Sequence, residues 1–291
     1  MGWFARKKQS LQDKGEEPIQ QRPQDKPDIP EQHEIMLPEE SDAGNGAPNA
    51  VVSRDKAQRA KELAALNEPL LIVKDVQRSF QVGGQKLHVL KGISMELYPK
   101  QLVMLRGRSG SGKTTLMNLI GGLDQPNSGE IVFKGHPFHT WNDEQRTVVR
   151  RSEIGFIFQS YALMPLLSAY ENVELSLRMA QTPRAEWKAR VQHCLELVGL
   201  GKRMHHRPFE LSGGEQQRVA IAKSIAHRPS LLLADEPTAE LDSQMGAQVM
   251  NVFQNIIEEE KVTICMTTHD PTILEVADHV FEMVDGKFKQ Y

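Results

Sequence analysis

From about residue 69 onward, short apolar runs alternate with amphipathic stretches. The runs LLIVKDV (70–76) and LHVLKGISMEL (87–97) flank Gly83-Gly84, which predicts two strands joined by a turn. QLVMLRG (101–107) has the unbroken apolar character of a buried strand and ends in glycine. KTTLMNLIGGL (113–123) follows with helical character and a stop at Gly121. Ser168 and Glu171 have capping-box spacing at the head of SAYENVELSLRMA. Pro183 suits a helix first turn, and Trp187, Val191, Leu195 and Val198 then share one helical face. SLLLADE (230–236) is a short apolar strand. Met245, Val249, Val252, Phe253 and Ile256 mark a helix, and KVTICMTT (261–268) and HVFEMVDG (279–286) are further strands. A β–α alternation interrupted by a helical insert predicts an α/β fold with a mainly parallel sheet. No internal repeat is visible.

The first fifty residues do not share this pattern. They hold six of the sixteen prolines, ten acidic residues against six basic ones, and only two aromatics, Trp3 and Phe4. So little apolar surface cannot offset the entropy of ordering, and residues 1–52 are expected to form a disordered acidic, proline-rich tail. Residues 53–68 are rich in helix formers and read as a helical linker, leaving 69–290 as the folded domain. Trp3 and Phe4 beside Arg6, Lys7 and Lys8 could touch an anionic membrane surface, although a solvated start is the plainer reading. The start carries no apolar h-region, and Arg6 replaces the Ser or Thr that myristoylation would want.

A net charge of −3 argues against a sequence-independent nucleic-acid binder. No apolar run reaches the length of a membrane span. Cys194 and Cys265 lie in separate apolar segments and read as buried thiols.

The chemistry is concentrated after three of the runs. The strand at 101–106 leads into Gly107, Arg108, Ser109, Gly110, Ser111, Gly112, Lys113 and Thr114, the spacing G-x-x-x-x-G-K-[ST]. Glycines let the backbone turn tightly so that successive N–H groups point inward at phosphate, and the next helix offers its positive end. Lys113 can reach the β- and γ-phosphates, and the Thr114 hydroxyl can hold Mg²⁺.

LLLADEP places Asp235 and Glu236 at the carboxyl end of a buried parallel strand, where ligands of such sheets bind. Asp235 suits a Mg²⁺ site, and Glu236 suits a general base for attacking water. Ser212 stands 23 residues before Asp235 and forms a capping box with Glu215; Gly213 and Gly214 leave N–H groups open at that helix mouth. This is a second anion cradle, and one nucleotide in one chain needs only one. A head-to-tail dimer uses both. His205-His206 has no third ligand at metal spacing.

With these motifs in this order, residues 69–290 resemble the nucleotide-binding domain of ATP-binding cassette (ABC) transporters. GRSGSGKTT resembles the Walker A loop, which extends the phosphate contacts to Thr115. LLLADEP resembles Walker B and LSGGEQQRV the signature motif. The resemblance implies a P-loop NTPase fold with a RecA-like core, an antiparallel β subdomain and an α-helical subdomain at about 160–226. It implies that Gln159 contacts Mg²⁺ and the membrane subunit, that Asp242 belongs to the D-loop, and that His269 contacts the γ-phosphate. It also implies that Phe80 stacks on adenine. Ala239-Glu240 departs from the usual D-loop residues, and Lys100-Gln101 stands where Gly-Glu is common.

The segments IGFIFQSYALMPLLSAYENVELSL and LLLADEPTAELD are similar to the lipoprotein-releasing, macrolide-exporting and FtsE-type subgroup. The implied activity is ATP hydrolysis by two copies closed over ATP and Mg²⁺, driving a separate integral-membrane permease from the cytoplasmic face of the inner membrane. In that arrangement Leu163, Met164, Leu166 and Leu167 help receive a permease helix. The alternative is a soluble ABC ATPase acting on nucleic acid or the ribosome. Those usually carry two cassettes, long coiled coils or zinc sites, none of which this chain displays.

Overall fold

A computed structural model describes residues 68–289. The expected acidic tail, almost all of the linker, and Trp3 and Phe4 lie outside the described residues. Two sheets organise the described part. Strands β1 (Leu71–Val82), β2 (Gln85–Leu97) and β4 (Ser128–Phe133) form an antiparallel sheet in the order β2-β1-β4. The second sheet has the order β5-β6-β7-β3-β8-β9. It comprises β3 (Leu102–Arg106), β5 (Ile154–Ile157), β6 (Leu231–Ala234), β7 (Thr263–Thr268), β8 (His279–Val284) and β9 (Lys287–Phe288). All its pairings are parallel except β8 with β9.

The central strands are apolar throughout because both faces are buried. In β3, Leu102 and Met104 enter one core while Val103 and Leu105 enter the other; in β6, Leu232 and Ala234 oppose Leu231 and Leu233 in the same way. One core is shared with α1 (Lys113–Ile120) and the antiparallel sheet. The other is shared with α3 (Ala169–Met179), α4 (Arg184–Leu197), α5 (Gly213–Ile225) and α6 (Ser243–Glu260). Cys194 and Cys265 are free and buried, and burial pushes both thiols up to about 12.

The expected helix starts at Ser168 and Ser212 hold. Each hydroxyl accepts the backbone N–H three residues on, and Glu171 and Glu215 accept the cap residues' own N–H groups in return. Helix α2 (Asp143–Ser152) was not legible from periodicity. Of its residues only Arg146 is buried, and a capping box between Asn142 and Gln145 supports its start. Strand β4 was also missed, because only Ile131 and Phe133 of its six residues are buried.

The helical insert is tied to the core by a buried cation. The Arg190 guanidinium donates to the carbonyls of Ile225 and Ala226 at 2.6 and 2.8 Å, and to both Glu260 oxygens at 2.6 and 2.9 Å.

His227 and His279 are held neutral. Burial pushes both imidazoles down, and a neutral His227 ring donates from Nε2 to the Ile154 carbonyl at 3.3 Å. The unfolded chain protonates both near pH ~6.5 and so binds more protons below that pH than the folded chain does. Stability therefore declines as pH falls through that value. The melting temperature should drop between about pH 7.5 and about pH 5.5. Replacing both histidines with glutamine should flatten that slope in a thermal melt series.

Candidate functional site

Because β5, β6, β7 and β3 run parallel, their carboxyl ends share one edge of the sheet. From that edge emerge Gln159 after β5, Asp235 and Glu236 after β6, His269 after β7, and the Gly107–Gly112 loop after β3. Gln159 is exposed there.

The loop closes on itself tightly. Gly112 sits at φ +108°, and a Cβ on it would come within 2.9 Å of the Leu90 side chain of β2. Its partner at the loop's start, Gly107, leaves no room for a side chain beside the Met283 carbonyl. The Lys113 ammonium lies inside the loop, with side-chain exposure of 6%, and donates to the carbonyls of Gly107 at 2.8 Å and Arg108 at 3.3 Å. The Ser111 hydroxyl is buried and has no hydrogen-bond partner among the described residues. A cavity of about 360 Å³ opens between Arg106–Ser111, His269 and Glu282–Asp285. A buried cation and an unsatisfied hydroxyl in a glycine loop at a helix N-terminus fit an anionic phosphate chain.

Asp235 and Glu236 face different partners. The Asp235 Oδ2 atom accepts from the Thr114 hydroxyl at 3.0 Å, and Oδ1 accepts from the Thr267 hydroxyl at 2.6 Å. Glu236 adopts a left-handed backbone at φ +48°. Its Oε1 lies 3.6 Å from Lys113 Nζ and its Oε2 lies 3.2 Å from His269 Nδ1. Asp235, Glu236, Lys113, Thr114 and His269 are therefore brought together as the motifs implied. His269 also lines a second cavity, of about 300 Å³, with Glu236 and the Thr238–Leu241 loop.

No group of three or more His, Cys, Asp or Glu side chains able to hold a metal ion occurs among the described residues. The Thr114–Asp235 pair suits Mg²⁺ all the same, since that ion commonly takes few protein oxygens and completes its shell with water and substrate phosphate.

Ser212, Gly213 and Gly214 line neither cavity. Gly213 and Gly214 open α5, with Ser212 as its cap. Asp242 caps α6 by accepting from Met245 N at 2.9 Å. Phe80 is half-buried on β1, opposite Leu87 of the strand that packs on the phosphate loop.

Thr267 was missed from the sequence. Besides donating to Asp235, its hydroxyl accepts from the Glu236 backbone N–H at 2.8 Å, so one buried side chain fixes the Asp235 carboxylate and the Glu236 backbone. The only signal was a hydroxyl two residues before His269 at a strand end. Thr267→Val keeps the shape and strands both partners. ATP turnover should fall about tenfold with ATP affinity little changed, and Thr267→Ser should restore it, as steady-state hydrolysis assays can check.

A family model described as ABC transporter matches residues 90–239. The chain belongs to that family. The cassette is 43% identical over 222 residues to the macrolide export ATP-binding/permease protein MacB of Wolinella succinogenes, covering 76% of this chain and 34% of that relative. It is 42% identical over 225 residues to the lipoprotein-releasing system ATP-binding protein LolD 2 of Rhodopirellula baltica, covering 75% of this chain and 88% of that relative. Among solved structures, the cassette MJ0796, described as a dimer in a post-hydrolysis state bound to ADP and Pi, superposes with a TM-score of 0.69 at 35% identity. That match covers 76% of this chain and 97% of MJ0796. The chain thus spans about a third of the macrolide exporter and most of LolD 2. The P-loop NTPase fold expected from the sequence is borne out, and the cassette is an ATP-binding, ATP-hydrolysing domain of the ABC transporter class.

Proposed function

We propose that the cassette closes head to tail with a second copy over two molecules of ATP and drives a separate integral-membrane permease of the lipoprotein-releasing or macrolide-exporting kind. The observation that carries this reading is the division of the site. Lys113, Asp235, Glu236 and His269 gather on one edge, while Ser212–Gly214, at the N-terminus of α5, line neither cavity there and are left to serve a partner.

Phosphate oxygens replace the Gly107 and Arg108 carbonyls around the Lys113 ammonium, and the N–H groups of residues 107–115 hold the rest of the chain of phosphates. Thr114, Asp235 and Gln159 would hold Mg²⁺, which when bound supplies neutralising charge on the β- and γ-phosphates. Glu236 accepts a proton from the attacking water at its carboxylate. His269, whose Nδ1 lies beside that carboxylate, orients it and stabilises the charge that develops on the γ-phosphate. Asp242, at the mouth of α6, meets the opposite copy.

Next to Gln159, Met164 and Leu166 are exposed, Leu166 to 78%, while Leu163 and Leu167 are partly buried. Phe158 and Phe209 are exposed as well. An apolar surface beside the Gln159 loop suits the permease helix. No helix among the described residues is long and apolar enough to cross a membrane, and the proposed location is peripheral, at the cytoplasmic face of the inner membrane, by way of that permease. The relatives named above support the transporter reading and not action on nucleic acid or the ribosome.

Affinity capture of the full chain from membranes of its source tests this. Recovery of a multi-span permease lost on Leu166→Asp supports the reading, and recovery of ribosomal or DNA-bound partners instead overturns it.

A further inference from the structure

We infer that Arg78 is a positioning residue for the nucleotide base: it holds the Phe80 ring as a stacking platform in register with the phosphate loop. The inference rests on the nucleotide reading above and adds a residue that no motif marks.

The Arg78 guanidinium carbon lies 4.6 Å from the centroid of the Phe80 ring, within cation–π range. The same guanidinium is locked in plane by a bidentate fork: Nε donates to Asp124 Oδ2 and Nη2 to Asp124 Oδ1, each at 2.8 Å. Both side chains are mostly sheltered, 21% and 28% exposed, so water competes weakly with the fork.

Asp124 is itself fixed. Its Oδ1 also accepts from Gln125 N at 2.8 Å, its N–H donates to the Asn118 carbonyl at 3.2 Å, and its carbonyl accepts from Arg146 at 3.3 Å. Asn118 belongs to α1, the helix that Lys113 opens. A continuous path therefore runs from the triphosphate-binding helix through Asp124 and Arg78 to the aromatic ring.

Charge and shape give this path its consequence. The phosphates are fixed by the loop, so the base lands wherever the ribose allows, and Phe80 must meet it there. A planar cation covering one face of the ring orients it and leaves the opposite face for a planar base. Lysine cannot substitute, because a point charge makes neither the fork nor the flat contact. The strand does not depend on Arg78 for its place. Asn127 accepts from Ser79 N at 2.7 Å and donates its own N–H to the Gln77 carbonyl at 2.9 Å, so β1 stays tied to the same loop in an Arg78 variant.

The test compares equilibrium affinities of the full chain for ATP and for inorganic tripolyphosphate, which has no base. Arg78→Ala, Arg78→Lys and Asp124→Asn should each weaken ATP about fivefold and leave tripolyphosphate unchanged. In a Phe80→Ala background, Arg78→Ala should cause no further loss. Equal weakening of both ligands, or unchanged ATP affinity in Arg78→Ala, overturns the inference. If Phe80→Ala itself leaves ATP binding at the parent value, the inference falls with the base site. If the parent chain binds neither ligand, it is the nucleotide reading that has failed.

Discussion

Glu236→Gln should lower ATP hydrolysis on the order of 10²- to 10⁴-fold while ATP binding stays within a few-fold of the parent. A carboxamide fills the same space between Lys113 and His269 but cannot accept a proton from water. The γ-phosphate then persists, and with it whatever bridges two copies. Size-exclusion chromatography in ATP should show a dimer for the variant and a shorter-lived association for the parent. Normal turnover by Glu236→Gln would remove this carboxylate from the reaction. A loss of turnover accompanied by loss of binding would mean that the substitution had disturbed the phosphate loop instead.

Lys113→Ala fails at an earlier step. Its ammonium is buried in the loop, and a charge-assisted hydrogen bond of this kind contributes about 1.5–3 kcal/mol. ATP affinity should fall roughly 10- to 100-fold. Inorganic tripolyphosphate should weaken by a similar factor, since the lost contact is to phosphate rather than to the base. Calorimetric titration of both ligands checks this. Wild-type affinity in the variant would exclude Lys113 from the contact.

Much of the candidate site was legible in the sequence because Asp235 and Glu236 directly follow one apolar strand run and the glycine loop that ends at Lys113 follows another, while His269 came from the family resemblance. Lys113, Asp235 with Glu236, and His269 come from different segments, and parallel strand order alone brings them to one edge. The capping serines Ser168 and Ser212 were legible for a similar reason, because a cap and its reciprocal glutamate lie within one turn.

What escaped depends on distance along the chain. Arg78 and Asp124 are 46 residues apart, and Thr267 lies 32 residues from Asp235. Neither pair leaves a local periodic trace, since a partner so distant along the chain is set by how strands and loops come together in the fold. Helix α2 escaped for the opposite reason. Its residues are local enough, but their end-capping and charge carry the helix in place of an apolar stripe.

The left-handed backbone at Glu236 sets stability against chemistry at one position. A residue with a Cβ is strained at φ +48°, whereas glycine adopts that conformation freely. Glu236→Gly would relieve the turn after β6 but remove the carboxylate proposed as the base and the partner of Lys113 and His269. The folded protein tolerates a conformation that its own backbone disfavours at the position where the proposed proton acceptor stands between an ammonium and an imidazole.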